Sequence, residues 1–168
     1  GYRYWAKQVS TAIRDVIVDS PSPGIIKLYI LMEDGTPASQ EIKQAVLAAC
    51  SADTVRPLGD QVLVEDAETV SYEISFTYYL QSGSAKSAAD TAEAVKAAVA
   101  QYTAWQSAKL GRDINPSFLV GLLMQTGIKR VELSAPTFTA LRDGGDRAVP
   151  QVASVGMVTI TNGGYEDE

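Results

Sequence analysis

The chain has 168 residues, of which 46% are hydrophobic, and its formal net charge at pH 7 is −6. This composition suits one domain or two small lobes with a real core, and it excludes wholesale disorder. The acidic balance argues against nonspecific binding to nucleic acid or to an anionic membrane, because both require clustered basic residues.

The first part of the chain predicts two strands followed by a helix. Residues 13–19 and Ile25–Met32 are β-branched or apolar runs that predict the strands, and residues 20–24, with two prolines and a glycine, predict the turn between them. The near-continuous apolarity of the second run predicts burial on both faces of its sheet. Ser39 is a favourable N-cap for the helix, whose apolar positions recur with helical spacing until about Ser51.

Two more strands complete the first half. Gln61–Glu65 predicts a short strand, and residues 70–80 alternate strictly between apolar and polar side chains, which predicts one buried and one exposed face. The small polar residues at 81–84 then resemble a linker. We therefore expect an N-terminal α+β lobe at 1–81 and a C-terminal α+β lobe at 84–168.

The second half predicts two helices and two strands. Ser84 as N-cap and Gly111 as the stop predict a long helix that ends near Leu110, and Asn115 with Pro116 predicts the start of the next helix. The remaining predicted elements are a strand at 128–133, a loop at 136–150, a strand at 152–161 and a frayed acidic tail at 163–168. The order ββα-ββ-αα-ββ predicts an α+β fold with mixed or antiparallel sheets.

No residue pattern in the chain predicts an active site. Histidine is absent, which removes the commonest general base and the commonest metal ligand. Cys50 lies on the apolar face of its predicted helix, so we interpret it as a packed core thiol. The carboxylates cluster at Glu65, Asp66 and Glu68 and again at Asp143 and Asp146, where they are typical of charged turns rather than of an acid–base pair or a calcium loop. We therefore predict no catalytic residue, no cofactor and no metal.

Two groups of residues are candidates for contact with other proteins. Arg112 and Asp113 lie between two apolar helices, and either form a local corner in which Asp113 caps the next turn, or form a subunit contact. Tyr2, Tyr4 and Trp5 open the chain, and either form a docking patch or cover the core of their own domain. Both interpretations stay open for each group.

Seven segments, in this order along the chain, carry a family resemblance. They are YRYWA at 2–6, DVIVDSPSPG at 15–24, ILMEDGTPAS at 30–39, RPLGDQVLV at 56–64, VSYEISFTYYL at 70–80, YTAWQSAKLGRDINPSFLVGLL at 102–123 and GIKRVELSAP at 127–136. Together they resemble the baseplate J-like family, which builds the wedges of contractile phage tails and related injection machines. Members of that family are longer, so the resemblance implies the middle and C-terminal part of a protein whose N-terminal segment is absent here.

The resemblance implies a structural role. A member of this family would be a subunit of the baseplate wedge, would form the ring around the central hub, and would contact other wedge proteins and copies of itself. It would lie in the tail baseplate of the virion, assembled in the host cytoplasm, and would need no nucleic acid, membrane or small-molecule substrate. The alternative is a tail-associated module that binds carbohydrate or hydrolyses glycans.

Overall fold

A computed structural model describes residues 1–52, 56–57, 59–145 and 148–168. The elements are α1 (Tyr2–Gln8), β1 (Ile13–Ser22), β2 (Ile25–Met32), α2 (Gln40–Ser51), β3 (Gln61–Glu65), β4 (Glu68–Gln81), α3 (Ala88–Gln106), α4 (Pro116–Met124), β5 (Arg130–Ala135) and β6 (Gln151–Glu166). The strands form two three-stranded sheets, in the orders β1-β2-β3 and β5-β4-β6. The predicted α+β fold with mixed sheets is confirmed.

The chain forms two compact units, and neither is continuous in sequence. The first unit consists of Gly1–Val70, Ser107–Arg112 and Leu141–Val152, and the second unit consists of Ser71–Gln106, Asp113–Ala140 and Ala153–Glu168. A division into lobes at 1–81 and 84–168 stays a prediction.

The sheet of the first unit is built on a hairpin. β1 and β2 are antiparallel, with Val16 opposite Ile30, and β3 adds to β2 in parallel. β1 continues through Pro21 to Ser22, so the predicted stop of this strand near residue 19 was wrong. An edge strand tolerates proline because the missing N–H would face away from the partner strand, and a register shift between Asp19 and Ser22 accommodates the change.

The core of the first unit lies on both faces of β2, as its apolar sequence predicts. On one side Leu28 and Ile30 pack with Val46 and Cys50 of α2. On the other side Tyr29 and Leu31 pack with Leu110 and Val152. The helix α2 begins where predicted, because the Ser39 hydroxyl accepts a hydrogen bond from the Ile42 N–H at 3.2 Å.

The sheet of the second unit is centred on β4. The predicted alternation is confirmed, and the buried residues of this strand are Tyr72, Ile74, Phe76, Tyr78 and Leu80. β5 runs antiparallel to β4. Gly156 lies beside Ser71 and Gly163 lies beside Tyr79, so β6 advances in the same direction as β4 and is parallel to it. Tyr102 of α3 contacts Tyr72 edge-on at 6.2 Å, which places α3 over the buried face.

The bounds of α3 differ from the prediction at both ends. Ser87, rather than Ser84, caps the helix, since its hydroxyl accepts a hydrogen bond from the Asp90 N–H at 3.0 Å. The N–H of Ser84 instead bonds to the carbonyl of Gln81 and closes a turn. The helix ends at Gln106, four residues before the predicted end, and Gly111 is therefore not its C-terminal stop.

The remaining elements show one confirmation and two corrections. Asn115 caps α4, with its side chain accepting from the Ser117 N–H at 3.1 Å, as predicted. The strand β6 continues to Glu166, so the prediction of a frayed tail from residue 163 was wrong. The helix α1 was not predicted at all. Its seven residues have no side-chain cap, so the sequence carries no local signal for a helix there. A helix this short depends on packing against the rest of the first unit.

Candidate assembly surface

Tyr2 covers the core of its own unit. Its hydroxyl donates a hydrogen bond to Asp60 Oδ2 at 2.8 Å, and burial together with the Asp60 carboxylate raises the pKa of Tyr2 to about 12. The thiol of Cys50 contacts the carbonyl oxygen of Tyr2 at 3.7 Å, and Ala6, one turn further along α1, is completely buried. Tyr2 and Ala6 therefore form the inner face of α1, because residues four apart lie on the same side of a helix.

Tyr4 and Trp5 form the outer face of the same helix. Tyr4 is 59% exposed and Trp5 is 42% exposed. Their rings contact each other edge-to-face, with centroids 5.2 Å apart. We call these two residues the aromatic pair. Large aromatic side chains that remain exposed on an ordered helix are typical of protein interfaces, because they offer much apolar area at low entropic cost.

Asp15 on β1 contacts both α1 and the main chain at Leu110. Its Oδ1 accepts a hydrogen bond from Arg3 Nη2 at 3.3 Å, and its Oδ2 accepts one from the Leu110 N–H at 3.1 Å. The Asp15 side chain is only 14% exposed. Arg112 is half-buried nearby, and burial lowers the pKa of its guanidinium while the charge of Asp15 opposes that shift. One carboxylate thus contacts the helix that carries the aromatic pair, and its charge also acts on Arg112.

The Arg112–Asp113 dipeptide lies where the chain passes from the first unit to the second. Asn115 supplies the cap of α4, as predicted, and the capping of the next turn by Asp113 stays a prediction. The main-chain oxygen of Asp113 accepts a hydrogen bond from Gln106 Nε2 at 2.8 Å. A subunit contact through Arg112 and Asp113 stays a prediction.

Gln106 is a structural residue that the sequence analysis missed. It is completely buried, and its Oε1 accepts hydrogen bonds from the Tyr102 hydroxyl at 2.7 Å and from the Asn115 N–H at 3.0 Å. With the bond to Asp113, this amide joins the end of α3 to the start of α4. Its spacing could have predicted its burial, because Gln106 lies one turn beyond Val95, Val99 and Tyr102 on the same buried face of α3.

Three of the clustered carboxylates that were considered as possible catalytic or metal-binding groups form ion pairs with basic side chains. Their partners are Lys27 for Glu65 at 3.4 Å, Lys43 for Asp66 at 2.8 Å and Arg142 for Glu68. Asp143 accepts a hydrogen bond from the Gly145 N–H and so shapes its own turn, whereas Asp146 lies outside the described residues. Cys50 is completely buried, and burial raises the pKa of its thiol. These contacts favour structural roles for the groups concerned.

The described part of the chain contains neither a candidate metal site nor a helix that could span a membrane. Among residues 1–52, 56–57, 59–145 and 148–168, no three acidic or cysteine side chains gather in a way that could hold a metal ion. No helix within those ranges combines the length and the apolarity that crossing a bilayer requires.

Comparison with known families decides the family membership. The family model described as the baseplate J-like central domain matches residues 1–66, and the model described as the baseplate J-like protein C-terminal domain matches residues 72–161. The chain belongs to the baseplate J-like family. The resemblance predicted from the seven sequence segments is confirmed.

Relatives of this baseplate J-like chain include baseplate protein J of Escherichia phage P2. The two are 37% identical over 136 residues, which cover 80% of this chain and 44% of the phage protein, so the chain spans less than half of that relative's length. A chain in the cryo-EM structure of the anti-feeding prophage baseplate, symmetrised sixfold, has the same fold, with a TM-score of 0.63 and 11% identity. That likeness covers 92% of this chain and 36% of the prophage chain.

Proposed function

We propose that this chain is part of a structural subunit of the baseplate wedge of a contractile phage tail, located in the ring around the central hub. The observation that carries the proposal is the match of two consecutive baseplate J-like domains over most of the chain. The relative in phage P2, named as a baseplate protein, supports it independently. The partners would be other baseplate proteins and further copies of the same chain.

The contacts of the acidic residues agree with a structural rather than a catalytic role. The described carboxylates at 65, 66 and 68 each lie within 4 Å of a lysine or arginine side chain. A carboxylate held in a structural ion pair is poorly placed to act as a general acid or nucleophile. A groove of about 580 Å³ lies beside the β2–α2 turn. The described residues that line it include no aromatic ring on which a sugar would stack; they are Ala12, Met32, Glu33, Asp34, Thr36, Pro37 and Ser39. This groove therefore does not favour the carbohydrate-binding or glycan-hydrolase alternative.

The aromatic pair is the contact surface that we propose for a neighbouring baseplate protein. Tyr4 and Trp5 project from a helix that is held by the Tyr2–Asp60 hydrogen bond and by the Arg3–Asp15 ion pair. A contact surface on a fixed helix loses little conformational entropy when a partner binds. Arg112 and Asp113 would form a second contact, and wedge assembly that stays intact after Arg112→Ala would remove Arg112 from the proposal.

The first experiment is quantitative mass spectrometry of purified sheathed tails, with the copy number of this protein measured against the sheath protein. A wedge subunit of a sixfold ring should be present at a small multiple of six copies per tail. Recovery of the protein only in the particle-free fraction would contradict the structural role. In that case the purified chain should next be tested for hydrolysis of peptidoglycan and polysaccharide.

A further inference from the structure

The outer edge of β6 lacks the charges and the proline that normally discourage strands from pairing between molecules, up to the positive-φ Gly164 near its end. β6 is the last strand of its sheet, bonded to β4 on one side, and no described strand lies on its other side. It is 16 residues long, and its sequence QVASVGMVTITNGGYE contains no proline and only one charge, on the terminal Glu166. Such an edge presents a row of main-chain N–H and C=O groups to another strand.

The other three sheet edges in the described part of the chain are protected. β1 carries Arg14, Asp15, Asp19 and Pro21 and two register shifts. β3 has five residues and ends in Glu65, and β5 has six residues, carries Arg130 and Glu132, and is followed by Pro136. Charges, proline, irregular register and short length each discourage pairing at an edge. Among the described strands, β6 is therefore the edge with the least protection against pairing.

The side chains of β6 support the same conclusion. Every residue from Ser154 to Thr159 is exposed, and this stretch includes Val155, Met157 and Val158. Met157 is 67% exposed. A cluster of exposed apolar side chains on an open strand edge is typical of a surface that another polypeptide covers.

We infer that β6 pairs antiparallel with β6 of a second copy of this chain, across a twofold axis near Met157. A partner strand for this edge must itself be unpaired, and an uncharged strand of similar length can pair along most of it; β6 of a second copy has all three properties. The chain carries a net charge of −6, so two copies repel over most of their surface, whereas residues 151–165 contribute no charge to that repulsion. In a twofold arrangement the apolar residues of one β6 would meet those of the other.

This inference rests on the proposed assembly role, and it can fail separately from that role. In the first test, sedimentation equilibrium is measured on the 168-residue chain and on two variants, Met157→Lys and the control Ser134→Lys. Ser134 is exposed on β5, so the control makes the same charge change on the opposite edge of the same sheet. We expect the wild-type chain to dimerise, Met157→Lys to weaken the dimer at least about tenfold, and Ser134→Lys to leave it unchanged.

A cysteine scan gives a second readout that does not depend on how strongly the dimer associates. Cys50 is the one cysteine of the chain and is completely buried, so a cysteine introduced at 154–161 would be the only accessible thiol. Residues directly opposite each other in an antiparallel pair have Cα atoms about 4.5–5.5 Å apart, which a disulfide can span. With copper–phenanthroline and oxygen as the oxidant, we expect covalent dimers to peak sharply at one or two adjacent positions near Met157.

Three outcomes would overturn the inference. In the first, the chain stays monomeric and does not cross-link at any position of the scan. In the second, a dimer forms but Met157→Lys does not weaken it. In the third, β6 pairs with a different baseplate protein instead of a second copy. If the first outcome occurred while tails contained the protein at a multiple of six copies, the pairing would be wrong and the wedge role would stand. A β6-linked dimer that is absent from tails would leave the pairing intact and contradict the wedge role.

Discussion

Arg130 forms two parallel hydrogen bonds with the carboxylate of Glu166, from Nε to Oε1 at 2.8 Å and from Nη2 to Oε2 at 2.7 Å. The guanidinium carbon of Arg130 also lies 3.9 Å from the ring centre of Tyr79, and Lys129 Nζ lies 3.6 Å from the Glu166 carboxylate. This bidentate geometry is the strongest form of arginine–carboxylate pairing. It joins the last residue of β6 to β5 and opposes fraying of the strand end.

The first prediction is that acid opens the end of β6. The hydrogen bond from Arg130, together with the nearby positive charges, lowers the pKa of Glu166 below its ordinary value of 4.5. A carboxylate whose pKa is lowered in the folded state stabilises that state above its unfolded pKa, and the contribution is lost as the pH falls through the folded pKa. We expect the amide of Ser82, which donates to the Glu166 carbonyl at 2.8 Å, to lose protection in that pH range.

Hydrogen exchange measured by NMR tests this prediction. Glu166→Gln should weaken protection of the Ser82 amide already at pH 7 and should abolish the acid-dependent change at the strand end. The matched control is Glu168→Gln, which removes a carboxylate two residues beyond the pair. An acid-dependent loss of Ser82 protection that persists unchanged in Glu166→Gln would show that another group controls the strand end.

The second prediction concerns two buried tyrosines that contact each other. The hydroxyl of Tyr72 is buried without a hydrogen-bond partner among the described residues, and burial raises its pKa, whereas the hydroxyl of Tyr102 donates to Gln106. Tyr72→Phe should therefore raise the free energy of unfolding by about 1 kcal/mol, and Tyr102→Phe should lower it by about the same amount. Urea denaturation of both variants measures the difference. Equal destabilisation by both substitutions would mean that Tyr72 has a partner.

The third prediction separates backbone strain from a steric clash at two glycines. Gly83 and Gly111 both have a positive φ, of 80° and 78°. A Cβ atom on Gly83 would contact nothing within 4 Å, whereas one on Gly111 would lie 2.6 Å from Cα and Cβ of Asp143. Gly83→Ala should cost about 1 kcal/mol of stability from the left-handed conformation alone. Gly111→Ala should cost about 2 kcal/mol or more, because the segment at Asp143 must also move. Similar losses in the two variants would rule out the clash.

Elements with strong local signals could be predicted from the sequence. Ser39 capped α2, Asn115 with Pro116 began α4, and the alternation in β4 gave its buried face, because each of these signals acts between residues a few positions apart. The family could also be predicted, since the resembling segments extend over nearly the whole chain.

Features that depend on distant residues could not be predicted. The extension of β6 coincides with the ion pair between Arg130 and Glu166, which are 36 positions apart, and the early end of α3 coincides with a hydrogen bond from the Gln106 side chain to the chain after the helix. For the candidate site, the sequence identified the aromatic residues but not their directions. Tyr2 points into the unit, whereas Tyr4 and Trp5 point outward. These directions depend on how α1 is rotated about its axis, and packing sets that rotation in a helix of only seven residues.

The fourth prediction tests the aromatic pair as an assembly contact. The change is Trp5→Ala, alone and with Tyr4→Ala, in the full-length protein of a phage that depends on it. Exposed aromatic anchors contribute strongly to binding when a partner covers them and little to the fold while they face water. We therefore expect the yield of assembled tails to fall about tenfold or more, with only a small change in the melting temperature of the isolated chain.

Phe138→Ala is the matched control for this experiment. Phe138 is exposed to a similar degree as Tyr4 but lies in the second unit, outside α1. Tail yield, measured by electron microscopy and by infectious titre, should be unchanged in this variant, because removing an exposed ring that is not part of a contact has little effect. Equal losses in the two variants would indicate a general effect of removing surface aromatic residues. Normal tails in the Tyr4/Trp5 double variant would exclude α1 as the contact and would direct the search to other exposed surfaces.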